Sequence, residues 1–216
     1  MTAPLTPRIA RLPRNHAGYP VPWFVAWIDG EPDFRVMDGD KLARAVREKR
    51  CWVCGQRFSG PTVAFVIGPM CAVNRVSAEP PSHRDCGVYS AQACPFLANP
   101  HKRRREANKP AEATDPGGIM LARNPGVALV WITRDHKVVD DGRGGVLFRI
   151  GSPTRTLWFA EGRDATRAEV LASIDSGLPA LADMARQDGP DAEAELARMT
   201  DAAMRLVPAQ EEVVQS

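Results

Sequence analysis

A chain of 216 residues sits near the upper edge of one domain, or makes two small ones. Its 44% hydrophobic and 25% charged residues predict an ordinary globular protein, and no apolar run nears the roughly 18 residues that a membrane-spanning helix needs. The longest such runs, "VPWFVAWI" and "GVALVWIT", are strand-sized. The net charge of +2 conceals an asymmetry. Residues 1–50 carry nine Lys and Arg against six Asp and Glu, residues 51–110 eight against three, and residues 111–216 eleven against seventeen. A basic first half suggests a polyanionic partner; the plainer alternative is that the two halves dock on each other.

Residues 1–21 are rich in Pro and Arg and read as an extended arm. The segment is basic but has no apolar stretch of the kind a secretory signal carries, which predicts a reducing, cytoplasmic setting. Val21–Ile28 reads as a buried strand. After the turn "DGEPD", the stretch "DFRVMD" alternates as a second strand, with Phe34 and Val36 on one face. Asp38–Arg50 reads as a helix capped by Asp38 or Asp40, with Leu42, Ala45 and Val46 as its apolar stripe. Arg47, Lys49 and Arg50 lie at its C-terminal end, where the dipole favours cations.

"PTVAFVIGP" predicts a short strand, and "MCAVNRVSAEPP" an irregular segment or a helical turn. "SHRDCGVYSAQACPFL" predicts a helix that Ser82 caps and Pro95 ends. The chain is thus expected to place its first structured unit at 22–97. A basic linker follows at 98–118, and a second unit at 119–207. The tail, 208–216, reads as loose. In the second unit "GVALVWIT" and "GVLFRIG" are expected to form a meander around the turn "DDGRGG", followed by the strand "RTLWFAE". "TRAE" (Thr166–Glu169) matches a capping box. Pro179 is expected to open a new helix, and a last helix to span about Asp191–Leu206. The whole predicts an α+β fold.

All five cysteines (Cys51, Cys54, Cys71, Cys86, Cys94) fall within 44 consecutive positions. A structural zinc ion takes four thiolate or imidazole ligands, and close pairs supply them at low cost in chain entropy. "RCWVCGQ" offers Cys51 and Cys54 in a C-x2-C knuckle, with Gly55 to relieve the backbone after it. "HRDC" offers His83 and Cys86 three positions apart at a helix start, where the dipole favours thiolate. Cys71 or Cys94 is the alternative to His83 as fourth ligand. A knuckle followed by a strand, a crossover and a ligand-bearing helix N-terminus resembles a treble-clef zinc finger over about residues 50–95. The resemblance implies one structural Zn2+ held by Cys51, Cys54, His83 and Cys86. The order departs from the usual pattern in showing H-x2-C in place of a second C-x2-C, with 28 residues between Cys54 and His83.

Other cysteine chemistries fit less well. A thioredoxin-like pair opens a helix after a strand, whereas this pair follows a helix. An iron–sulfur cluster could use four of the five cysteines, and Cys71 and Cys94 can be plain core thiols. The deaminase pattern H-x-E with P-C-x-x-C and the protease pattern H-E-x-x-H are both absent. HNH-type nucleases resemble treble clefs with a catalytic histidine on the hairpin, but no histidine lies between Cys54 and His83.

Three functions remain in view. The first is a zinc-stabilised protein that binds nucleic acid through Arg75, Arg84 and the run Lys102, Arg103, Arg104 and Arg105. The second is a small enzyme with a pocket near Asn74–Asp85, using Asn74, Arg75, Glu79 and Cys71. The third is an adaptor for a protein partner. Trp52, between the two knuckle ligands, is expected to lie on the outside of the knuckle, where a contact role is open to it.

Overall fold

The computed structural model describes residues 3–101, 124–142 and 144–209. Most of the expected linker, with Lys102, Arg103, Arg104 and Arg105, lies outside these residues. The mixture of helices and antiparallel sheets is α+β, as the sequence predicts. At its centre stands a four-stranded antiparallel sheet ordered β3 (Val63–Ile67), β5 (Ala128–Thr133), β8 (Pro153–Ala160), β9 (Arg163–Asp164). Every residue of β5 is buried. An antiparallel strand buried on both faces reads as an unbroken apolar run, which is why "ALVWIT" shows no alternation.

The two faces of this sheet differ in depth. On one, α4 (Arg84–Ala93) lies on Ala64, Ala128, Val130 and Phe159. The approach is close because Gly87 has no side chain. A Cβ there would come within 3.3 Å of Val66 and 3.5 Å of Val130. On the other face Phe65, Leu129, Trp131 and Trp158 meet α3 (Pro69–Asn74), α5 (Arg167–Asp188), and Met204 and Val207 at the end of α6 (Pro190–Met204). Buried rings need partners for their N–H groups. Trp131 donates to the Gly151 carbonyl at 3.0 Å and Trp158 to the Leu206 carbonyl at 2.9 Å.

A three-stranded sheet, ordered β4 (Val76–Ser77), β7 (Val146–Ile150), β6 (His136–Asp140), adds Phe148 and Ile150 to this thicker core. The expected meander is therefore corrected. The turn "DDGRGG" joins β7 to β6, not to β5, which pairs with β3 and β8 instead. The switch of sheet occurs at Thr133, fully buried, whose Oγ1 accepts the Asp135 N–H and lies 2.8 Å from the Ser152 carbonyl. The boundary expected between 97 and 119 also does not separate two sheets, since β3 pairs with β5 and β4 with β7. The basic and acidic halves do dock on each other.

Three helix expectations are met and one is corrected. α2 (Gly39–Glu48) is capped by Asp38, whose side chain accepts the Lys41 N–H at 3.1 Å. The capping box of Thr166 and Glu169 opens α5. α6 covers the expected last helix. Pro179, however, lies inside α5, which runs on for 22 residues. The bond its missing N–H forfeits is offset by packing on both sides, with Ile174 buried and Leu178 against the core.

N-terminally, β1 (Val25–Ile28) and β2 (Glu31–Met37) form a two-stranded hairpin. The arm before it is not simply extended. Thr6 caps a short helix, α1 (Pro7–Ala10), and Ile9 is fully buried against Cys51, Val53 and Cys86.

Candidate metal centre

The knuckle begins where α2 stops. Lys49 turns left-handed at φ 51° and the chain enters Cys51 by way of Arg50. A narrow turn then forms, with Cys51 N–H donating to the Gln56 carbonyl at 2.8 Å and Gly55 N–H to the Cys51 carbonyl at 2.8 Å. Gly55 has φ +71°, and a Cβ on it would stand 2.6 Å from the Trp23 ring. Both its conformation and its surroundings exclude a side chain.

The second ligand pair arrives from across the sheet edge. Ser82 exchanges two backbone hydrogen bonds with Ala64 of β3, at 2.7 and 2.8 Å. That bridge delivers His83 and α4 to the knuckle. The helix cap expected at Ser82 falls instead on His83, which is extended and makes no side-chain cap bond. Its ring is turned to the knuckle: Nδ1 lies 3.4 Å from Cys54 Sγ. Cys86 follows in the first turn of α4.

The ligand atoms of Cys51, Cys54, His83 and Cys86 all lie within 4.8 Å of one another. Around a tetrahedral zinc with ordinary bond lengths, a sulfur and a nitrogen stand about 3.6 Å apart and two sulfurs about 3.8 Å. The Cys54–His83 separation fits that spacing. Two backbone N–H groups, of Cys54 at 3.4 Å and His83 at 3.3 Å, point at Cys51 Sγ. Donors placed on a sulfur favour its thiolate form. Three thiols and one imidazole suit a borderline-soft ion such as Zn2+ and not Mg2+ or Ca2+.

Charge balance within the cluster favours a cation. Burial opposes ionisation of Cys51, but hydrogen bonds from Cys54, Cys86 and His83 outweigh it and hold its thiol far below the usual range. Its hydrogen bond with Cys51, then Cys54 and burial, push the Cys86 thiol far up. His83 is raised to about 10 by its bonds to Cys51 and Cys54. Three thiolates cannot coexist here without a positive charge among them, which a metal ion supplies as it displaces the protons.

The shell around these ligands is largely apolar. Phe58 meets the His83 ring edge-on at 5.0 Å. Ile9 covers Cys51 and Cys86. Arg8 Nη1 binds Asp85 Oδ2 at 3.0 Å, tying α1 to the first turn of α4 beside Cys86. Among the described residues, His83 Nε2, Trp52 Nε1 and Arg8 Nε are buried without a partner.

Trp52 corrects an expectation. It is 2% exposed and stacks on Phe24 with ring centres 4.9 Å apart and planes 10° off parallel. Its backbone N–H donates to the Pro81 carbonyl at 3.0 Å, so this ligand-flanking residue joins the knuckle to the crossover from behind.

The other expected site residues scatter. Arg84 is exposed at the start of α4, on the thinner side of the sheet. Arg75 caps α3 on the opposite side, in a left-handed conformation with its guanidinium 5.8 Å over the Trp131 ring. Asn74 Oδ1 accepts the Val76 N–H, and Ser77 Oγ accepts the Glu79 N–H, both ordinary turn contacts. Burial pushes the Cys71 thiol up to about 11, the opposite of an activated nucleophile. A surface hollow of about 290 Å³ is lined by Pro100, Pro125, Glu161, Glu169 and Ser173, none of them within Asn74–Asp85.

Sequence reasoning overlooked Ile9, Arg8 and Phe58 as parts of this centre. It also passed over the buried Asn124, whose Nδ2 reaches the carbonyls of Phe96, Leu97 and Asn99 and so ties the segment after α4 to the entry of β5. An isolated buried asparagine leaves no spacing signal in a sequence. No known protein family, curated protein or solved structure matches the chain.

Proposed function

We propose that this chain is a zinc-stabilised binding protein whose metal is structural, held in a treble-clef-like module, and whose partner is a nucleic acid. The observation that carries the metal's role is a complete set of four ligands, three of them buried and Cys54 half-buried. Cys51 and Cys86 are fully buried and His83 is 9% exposed, whereas a catalytic zinc keeps an open position for water or substrate. The order of knuckle, β3, bridge at Ser82 and ligand-bearing α4 supports the treble-clef reading. Nucleic acid as the partner is supported by the charge excess of residues 51–110 and the exposure of Arg84.

Two measurements test this. Metal analysis of the purified chain is expected to give one zinc per molecule, lost in Cys54→Ser; metal retained in that variant would refute the ligand set. Binding to DNA or RNA is expected at low salt and to weaken steeply as salt rises. No binding at low salt ends the nucleic-acid reading while leaving the metal centre standing. The raised thiol of Cys71 counts against its use as a nucleophile in the enzyme alternative.

A further inference from the structure

Beside the knuckle, four arginines share one carboxylate. Arg50 Nε lies 2.6 Å from Glu48 Oε2, Arg44 Nε 3.4 Å and Arg47 Nη2 3.3 Å from Oε1, and Arg57 Nη2 4.0 Å from Oε2. Elsewhere among the described residues Arg35 pairs with Asp33, Arg186 with Asp183 and Arg198 with Glu195, and Arg163 has two carboxylates, Glu161 and Glu169. Here one negative charge answers four positive ones. Asp40 lies one helical turn before Arg44, and even counting it the surface keeps an excess of two. Arg47 and Arg57 are 67% and 68% exposed, so the excess faces solvent. The Glu48 carboxyl is held down at about 2, with Arg50 the main cause, as a strongly positive field requires.

The patch is built into the fold. The backbones of Arg50 and Arg57 pair in an antiparallel bridge at the base of the knuckle, and Arg50 Nη1 donates to the Gly55 carbonyl at 2.8 Å. Arg44 rests 5.8 Å over the half-buried Trp23 ring, the same ring that closes on Gly55. Guanidinium groups held in fixed positions suit phosphate oxygens, which accept their forked donors in pairs. We infer that Arg44, Arg47, Arg50 and Arg57, gathered around Glu48, form the docking face for the phosphate backbone of a nucleic acid. The inference rests on the nucleic-acid reading above and moves its centre from Arg75 and the Lys102–Arg105 run to the surface of α2 and the knuckle.

The test uses the full zinc-loaded chain, a short fluorescein-labelled DNA duplex and its single strand, with anisotropy read across a salt series. Arg47→Gln with Arg57→Gln removes two exposed cations that carry no core packing. The slope of log affinity against log salt is expected to fall by about 1.8 for the duplex, or about 1.4 for the single strand. Glu48→Gln is expected to tighten binding, which no loss of folding can imitate. If the wild-type chain binds but the double variant matches it while Arg84→Gln weakens binding, this docking face is overturned and the nucleic-acid reading survives. If the wild-type chain binds neither strand form at low salt, both fall. If it binds phosphatidylserine vesicles and neither nucleic acid, and the double variant abolishes that, the patch serves an anionic membrane and the inference is overturned.

Discussion

The two faces of the central sheet are held by different means. The thick face stacks Phe65, Trp131, Trp158, Phe148 and Ile174 into one continuous apolar core, and its buried rings have hydrogen-bond partners. On the thin face Ala64 and Ala128 of the sheet meet α4, which brings Gly87 and Ala91 close to them beside Val130 and Phe159. The N-terminus of α4 is anchored as well, with His83 and Cys86 in the four-ligand cluster and Asp85 on Arg8. The lesson is a division of labour. Hydrophobic burial dominates one side of this protein, and on the other a smaller apolar cluster is joined by four residues able to ligate a metal.

Breaking the metal centre is the strongest challenge to that division. Structural zinc sites in small modules contribute about 10–16 kcal/mol of apparent binding free energy, most of which is folding free energy. Cys86→Ser, or chelation of the wild-type chain, is expected to strip hydrogen-exchange protection from α4 and the knuckle while β5 and α5 keep theirs. Uniform loss of protection would show that the two faces fold as one unit. Next in size is the converse experiment. Ile174→Ala opens the thick core and is expected to cost about 2–5 kcal/mol in denaturant unfolding. The zinc content should stay at one per chain, and loss of metal in this variant would sink the separation from the other direction. Smaller again is Gly55→Ala, which forces a Cβ against Trp23 at a left-handed position. Such overpacking costs about 1–3 kcal/mol. The effect should appear as faster metal release to a chelator, and an unchanged rate would mean the knuckle tolerates the shift.

The same division explains what the sequence could reveal. The ligand set was legible because metal chemistry demands particular residues at short spacing, and Cys51, Cys54, His83 and Cys86 do converge. The caps at Asp38 and Thr166 were legible for the same reason, being local. Sheet assignment was not. β5 reads as half of a hairpin with "GVLFRIG", yet its partners β3 and β8 are chosen by the depth of two cores. β6 went unread because "HKVVD" exposes three of its five residues and has no clean alternation. Trp52 misled because knuckle side chains commonly face solvent, whereas here Phe24 and Trp23 come from the N-terminal segment to cover it. Long-range cover of this kind has no local signature. The four-arginine cluster shows the same limit: Arg47 and Arg50 read as ordinary helix-end cations, and Arg44 drew no reading, until Arg57 folds back beside them.

The smallest expected effect lies at the start of α5, which closes the thick face and owes part of its stability to a local cap. Arg163 chiefly, with the Thr166 N–H, holds the Glu169 carboxyl at about 2. Arg163 Nη2 lies 2.6 Å from Oε1, and the Thr166 N–H donates to Oε2 at 2.8 Å. A carboxyl depressed on folding stabilises the native state above its unfolded value of about 4.5, and that contribution fades as pH falls through about 2. The site is a third exposed, so solvent screening leaves it worth only about 1 kcal/mol, the usual scale of a cap. Glu169→Gln is therefore expected to lower the melting temperature by a few degrees at neutral pH, and the gap to the wild type should close between pH 5 and pH 2. A metal held by these thiolates would also be released in acid, so the comparison is made on β5 and α5 by hydrogen exchange, where the thick face reports alone. A gap that persists unchanged to pH 2 would mean that the Glu169 side chain acts through packing and not through its charge.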